Sequence, residues 1–295
     1  MAQPAKPRHR SGYTAEETLQ VESACLTVAV TLGAYLDDVC VVGGLVPSLL
    51  IDRELGPDQK DEDEERHPGT NDLDIGLAIS LLDDERYAGL SERLRQEGFR
   101  PDLNEDGNEV RQRWRLGDLK VTVEFLIPPA PGQAEERRIQ DLQPDFAALV
   151  TKGLGLAFDE RRQIELHGHT LSGEAARRTV PVCGPAAFVV LKAFAFADRT
   201  EPKDAYDLVY VIRRSSGRAE AIAARLAEHA KSNRRSVSSA LELLARDFDQ
   251  IESIGPQRAA RFAIADPAET DDLAADALGY VDDLLTACRG LGLRR

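Results

Sequence analysis

Between Asn71 and Ile79 the chain reads Asn-Asp-Leu-Asp-Ile-Gly-Leu-Ala-Ile, an alternation with the two-residue period of a β-strand. Leu73, Ile75, Leu77 and Ile79 take one face, which calls for burial, and Asp72, Asp74, Gly76 and Ala78 take the other. Two carboxylates therefore stand roughly 7 Å apart at their Cα atoms. Two anions side by side repel, and a strand gains nothing by burying them. A bound divalent cation resolves the conflict. Two carboxylates with open space around them suit Mg²⁺ (or Mn²⁺), which keeps several water or phosphate oxygens in its shell. A solvated edge strand is the competing reading and, for a bare Asp-x-Asp, the commoner one.

Two further segments shift that balance. Val121–Ile127 is a second strand with Val121, Val123, Phe125 and Ile127 on its core face and Thr122 and Glu124 opposite. Laid beside the first strand, it adds Glu124 as a third carboxylate. Upstream, the short apolar strand at 39–42 ends in Gly43-Gly44 ahead of a helix predicted from Leu45 to Arg53. Glycines there let backbone N–H groups approach a phosphate closely.

Lys192 makes a separate argument. It is the only charged or polar side chain in 185–197, so its helix is apolar nearly all round and belongs inside. A buried ammonium needs an anion. Asp204 and Asp207, three residues apart on the next helix, are candidates for a core ion pair; a triphosphate is the functional alternative, and the two can coexist.

Around these segments the chain reads as a mixed α/β half followed by a helical half. Residues 1–14 form a Pro-rich basic tail, and Thr14 with Glu17 makes a capping box opening a helix over 15–36. An acidic insertion covers 56–69, with the bland expectation of a solvated loop. A helix over 84–96 closes at Gly98, and strands at 109–116 and 119–127 meet at Gly117-Asp118. Pro128, Pro129 and Pro131 end that sheet. Residues 139–160 give no clear pattern; 162–171 and 179–183 read as strands. From Gly184 the periodicity is helical throughout, with helices expected at 185–198, 202–214, 217–230, 236–250, 256–264 and 269–289. The expected domains are 15–183 and 184–295. Arg111, Arg113, Arg115 and Lys120 read as a solvated face or a track for an RNA backbone. Trp114 and Tyr206 read first as core, and His167 and His169 as surface.

Length and charge bound the function. The 295 residues suffice for one large domain or two ordinary ones, and 51 acidic against 37 basic side chains leave a net charge of −14. That excludes a coat for nucleic acid built on bulk charge, while local basic patches stay open. The apolar run at 185–197 is too short to span a bilayer, and no signal peptide is evident. The four scattered cysteines read as reduced core residues. A cytoplasmic protein with no membrane partner is expected.

The order Val42-Gly43-Gly44, then Thr70-Asn71-Asp72-Leu73-Asp74-Ile75, then Glu124 resembles the polymerase-β-type nucleotidyltransferase superfamily, and within it the AbiEii/MenT-type toxin nucleotidyltransferases. Val190-Leu191-Lys192-Ala193-Phe194 and Pro202-Lys203-Asp204-Ala205-Tyr206-Asp207-Leu208 narrow the match, which covers roughly 30–215. The chain departs from the family in having Leu45 where Ser commonly follows the glycine, and in a long interval between Gly44 and Asp72. The resemblance implies an α+β fold, a polymerase-β-like mixed sheet with flanking helices followed by an α-helical domain. It also implies Mg²⁺-dependent transfer of a nucleoside monophosphate from an NTP. Asp72, Asp74 and Glu124 would hold metal; Gly43, Gly44, Thr70 and Lys192 would hold nucleotide; Lys192 and Asp204 join the carboxylates as catalytic candidates. A toxin with a cognate antitoxin, acting on the tRNA 3′ end, follows from the same resemblance. The rivals are transfer to a small molecule or protein hydroxyl, and a catalytically idle scaffold that binds a partner through its helices.

Overall fold

The computed structural model describes residues 7–53, 66–78, 84–117, 119, 121–130, 137–264 and 269–293. Ile79, Asp118, Lys120, Pro131, the first six residues and most of the acidic insertion lie outside the described residues. The chain forms two compact units. One gathers Tyr13–Leu49 and Pro68–Cys183; the other takes Pro7–Gly12, residues 50–53 and 66–67, and the chain from Gly184 onward.

The first unit is a mixed sheet with helices. Helix α1 (Ala15–Leu32) starts at a capping box in which the Glu17 N–H donates to the Thr14 hydroxyl and the Thr14 N–H donates to the Glu17 carboxylate, both at 3.1 Å. It stops at Leu32 rather than Leu36, because Gly33 leaves the helical region and the chain tightens into a 3₁₀ turn over Gly33–Asp38. The stretch Ala15–Asp38 is long and apolar enough to cross a membrane by composition, with mean hydropathy 1.4. Here Val21, Ala24, Val28 and Leu32 are buried, and α1 packs on the sheet.

Strands β1 (Val39–Val42), β2 (Asp72–Leu77), β3 (Phe99–Leu103), β4 (Glu109–Leu116), β5 (Thr122–Ile127), β6 (Ile139–Gln143), β7 (Phe146–Val150), β8 (Arg161–His169) and β9 (Ala175–Cys183) join in one sheet. The spatial order is β3-β4-β5-β2-β1-β9-β8, with β7 pairing β5 and β6 pairing β7. Helix α2 (Asp84–Gln96) ends where Gly98 takes φ +90, a conformation open to glycine at no steric cost. A short helix α3 (Gly155–Asp159) follows β7. Trp114 and Phe125 sit on the core face and meet Phe146 at ring separations of 5.6 and 5.1 Å.

Three parts of the sheet escape the sequence pattern. β3 carries Pro101 and alternates poorly, which an edge strand tolerates. β6, β7 and α3 occupy the stretch without a clear pattern. β9 begins at Ala175, earlier than its apolar half suggests, because Arg177 and Arg178 lie exposed where β8 and β9 form an exposed hairpin. The glycine pair also does not open a regular α-helix. Gly43–Asp52 is wound as 3₁₀ at Gly43–Leu45 and as a wider π turn at Ser48–Asp52.

The second unit is helical: α4 (Pro185–Arg199), α5 (Pro202–Arg214), α6 (Arg218–Asp247), α7 (Ile254–Ala263) and α8 (Thr270–Gly290). α6 replaces the two helices expected at 217–230 and 236–250. The chain runs through a kink at Asn233, whose φ −137 and ψ 53 leave the helix without ending it. The whole is an α+β architecture whose C-terminal part is helices.

Because Trp114 is fully buried among Phe146 and the Arg95 guanidinium, 5.3 Å above its ring, Trp114→Ala should cost about 3–5 kcal/mol in chemical denaturation.

Candidate functional site

β2 and β5 run parallel with Asp72 opposite Thr122 and Asp74 opposite Glu124. Residues in register on neighbouring strands share a face, so Glu124 comes to the same face as the aspartates, beside Asp74. The opposite face is closed: Leu73, Ile75, Val123 and Phe125 are all at most 2% exposed. The Thr122 hydroxyl donates to Asp72 Oδ1 at 2.9 Å, holding that carboxylate. The Thr70 hydroxyl lies 3.3–3.4 Å from the carbonyl oxygen and N–H of Asp72, so it clasps the start of the strand.

β1 lies antiparallel on the other side of β2, with Val42 opposite Asp74. Gly43 follows at φ +71, and a Cβ built there would fall 1.8 Å from Asp74 Oδ2. The close approach of backbone to carboxylate at this point is open only to glycine. The glycine pair is thus packed against the acidic residues. Among the described residues no three His, Cys, Asp or Glu side chains form a set that could hold a metal ion. Glu124 stands beside the aspartates by register without closing a three-carboxylate cage.

The second unit holds a different arrangement. Lys192 is 6% exposed, and its Nζ donates to Asp204 Oδ1 at 2.8 Å and to Asp207 Oδ2 at 2.7 Å. Asp204 also accepts from Arg199 at 2.6 and 2.8 Å, and Asp207 from Lys203 at 2.8 and 2.9 Å. His67, fully enclosed, places Nε2 2.8 Å from Asp207 Oδ1. The carboxylate only accepts, so Nε2 carries the hydrogen. The core ion pair expected for Lys192 is present, and it belongs to a network of six side chains.

Burial opposes the charge on Lys192, but Asp204 and Asp207 outweigh it and raise its pKa to about 12. Burial likewise opposes ionisation of the two aspartates, and Lys192, joined by Arg199 at Asp204 and by Lys203 at Asp207, drives both well below the usual carboxylate range. His67 goes the other way: burial first, then the Lys203 charge, lower it to about 4 despite Asp207. Breaking such a network leaves a buried charge uncompensated, at about 3–5 kcal/mol.

Arg199 and Lys203 were open to sequence reasoning, since Arg199 lies two helical turns after Lys192 and Lys203 stands four residues before Asp207. His67 was not. It sits in a polar stretch without periodicity, read as part of a solvated loop. Asp52 is similar: its Oδ1 accepts from the Tyr210 hydroxyl at 2.5 Å.

Two outcomes follow. Gly43→Ala forces a side chain into a left-handed conformation and onto Asp74, so thermal unfolding should reveal a loss of at least about 1 kcal/mol. The His67 shift gives a pH dependence. Between pH 6.5 and 4 the unfolded histidine binds a proton that the folded one refuses, so stability falls as the pH is lowered through that window. Urea denaturation should show a loss of about 2 kcal/mol from pH 7 to pH 5 in the wild-type chain. His67→Gln should flatten that interval.

The carboxylate face and the lysine–aspartate network lie within a recognised family pattern. A model of the family described as nucleotidyl transferase AbiEii toxin, type IV toxin–antitoxin system, matches residues 70–284. No curated protein matches the chain significantly. The matched span takes in both aspartates of β2, Glu124 and the whole Lys192 network except His67. The chain belongs to the AbiEii family of nucleotidyltransferase toxins of type IV toxin–antitoxin systems.

Proposed function

We propose that this chain transfers a nucleoside monophosphate from an NTP to an acceptor hydroxyl, with Mg²⁺ (or Mn²⁺) as cofactor and the 3′ end of tRNA as acceptor. The observation that carries the reading is the register of β2 on β5, which lines up Asp72 with Thr122 and Asp74 with Glu124 on one face. The family supports transferase chemistry and suggests a cognate antitoxin as partner. The tRNA acceptor is taken from the resemblance of the Thr70–Ile75 and Pro202–Leu208 motifs, and a protein acting on it would work in the cytoplasm.

The donor set fits a hard cation shared with substrate. Mg²⁺ is commonly held by one or two carboxylates, with phosphate and water oxygens completing its shell. Asp72 and Asp74 supply those carboxylates, Thr122 fixes Asp72, and the glycine packed against Asp74 leaves the backbone close by. Bound there, the ion supplies Lewis-acid stabilisation to the phosphoryl oxygens. Glu124 accepts the proton of the acceptor hydroxyl. The hydroxyl oxygen bonds to the α-phosphorus, and the bond to the pyrophosphate oxygen breaks. The Gly43 and Gly44 amides are the groups we assign to the triphosphate, with Thr70 holding the start of β2 in place; for Lys192 we keep, from the resemblance of its own helix, a role in binding nucleotide. Asp204 and Asp207 keep Lys192 charged and hold it within the helical unit.

Incubation with radiolabelled NTPs, Mg²⁺ and total tRNA should give a labelled tRNA band. Asp74→Asn should reduce transfer by about 100-fold or more while thermal unfolding without metal stays level or rises, since it relieves repulsion between carboxylates. Label appearing only in a small molecule or a protein would replace the acceptor. Undiminished transfer by Asp74→Asn would remove the carboxylates from the chemistry.

A further inference from the structure

The carboxylate face does not end at Glu124. β4 lies antiparallel beyond β5, with Arg113 opposite Glu124 and Arg115 opposite Thr122. Across three strands the face reads Asp74, Glu124, Arg113 in one row and Asp72, Thr122, Arg115 in the next. With strands spaced ~4.8 Å, each arginine Cα lies about 10 Å from the aspartate in its row.

Both arginines are gathered by one residue. Asp102, 4% exposed, follows a break in register between Pro101 and Asp102 on β3. Its carboxylate accepts from Arg113 Nε at 2.7 Å and from an Arg115 terminal nitrogen at 2.5 Å. Irregularities of this kind re-aim side chains beside functional sites. The Arg115 side chain is 21% exposed, yet its Nε is buried and, among the described residues, meets no acceptor. Buried donors are nearly always satisfied, and a guanidinium donor left over is matched best by a carboxylate or phosphate oxygen.

We propose that Arg113 and Arg115, organised by Asp102, form a phosphate subsite that takes the phosphodiester of the acceptor strand nearest the reacting hydroxyl. Phosphate binding is read from the arginines themselves; naming its bearer as the acceptor rests on the transferase reading above. That phosphate lies one sugar away from the hydroxyl, in keeping with a position one to two strands from the carboxylates. A cationic acceptor such as an aminoglycoside would meet repulsion from the same side chains.

The test uses the full chain with Arg113→Gln, Arg115→Gln and Arg115→Lys. Anisotropy with a labelled single-stranded oligoribonucleotide ending in a 3′ hydroxyl reads acceptor binding. Calorimetry with Mg²⁺ and a non-hydrolysable α,β-methylene NTP reads nucleotide binding. Each glutamine variant should weaken the oligoribonucleotide by about 10-fold and lower its salt slope by about 1, with the nucleotide unaffected. Arg115→Lys keeps the charge and stem, so it should fold, retain the salt slope and still lose several-fold through the missing fork. Weakened nucleotide with unchanged oligoribonucleotide would assign the phosphate to the NTP and overturn the acceptor role. No change in either ligand for variants that unfold at the wild-type temperature would overturn the subsite. A wild-type chain whose oligoribonucleotide binding depends on Arg115 but which transfers nothing would sink the proposed function and leave the subsite standing.

Discussion

The parallel pairing of β2 with β5 is the constraint on which the candidate site depends. It sets carboxylates side by side at Asp74 and Glu124, an arrangement that like charges on adjacent strands disfavour. What enforces it lies on the reverse of the same strands. Leu73, Ile75, Val123 and Phe125 are buried together, and a slip of one residue in either strand would turn that strand's pair out to water. At about 1.5–3 kcal/mol for each buried large apolar side chain, the core face outweighs repulsion between partly solvated carboxylates by a wide margin. The acidic face is therefore held by the core behind it, and on the proposed reading a bound cation would relieve the repulsion between its carboxylates.

The Lys192 network follows another logic. Apart from Arg199 its charges are buried, and each is paired, so their attraction is strong but offset by desolvation, and an apolar replacement of equal volume would often be as stable. Stability alone is thus a poor reason for placing Lys192, Asp204 and Asp207 in a helix-packed core. A cation held charged and rigid is suited to electrostatic work, since a preorganised donor needs no reorganisation when negative charge arrives. His67 stays neutral beside it and gives Asp207 a donor without adding a further charge.

Much of this was legible in the sequence where one residue's role is fixed by its near neighbours. The alternation in Asp72–Leu77 and Thr122–Ile127 announced both strands and the faces of their acids, and the apolar surroundings of Lys192 announced its burial. What pairs with what was not local information. Strands fifty residues apart carry no mark of their register, which the packed sheet decides. Asp102 lies on an edge strand interrupted by Pro101, where neither periodicity nor propensity points inward. His67 is buried by contacts with residues 140 positions further along, which no local window contains.

The net charge of −14 bears on the acceptor as well. A chain this acidic repels a nucleic acid at long range, and at physiological salt that repulsion is screened beyond about 8 Å. Affinity must then come from a few contacts at short range, where desolvated arginines act at full strength. Arg113 and Arg115, largely sheltered and already set by Asp102, are the contacts of that kind proposed above. On the proposed reading, an anionic acceptor would depend on the face where the carboxylates of β2 and the arginines of β4 stand in register with β5.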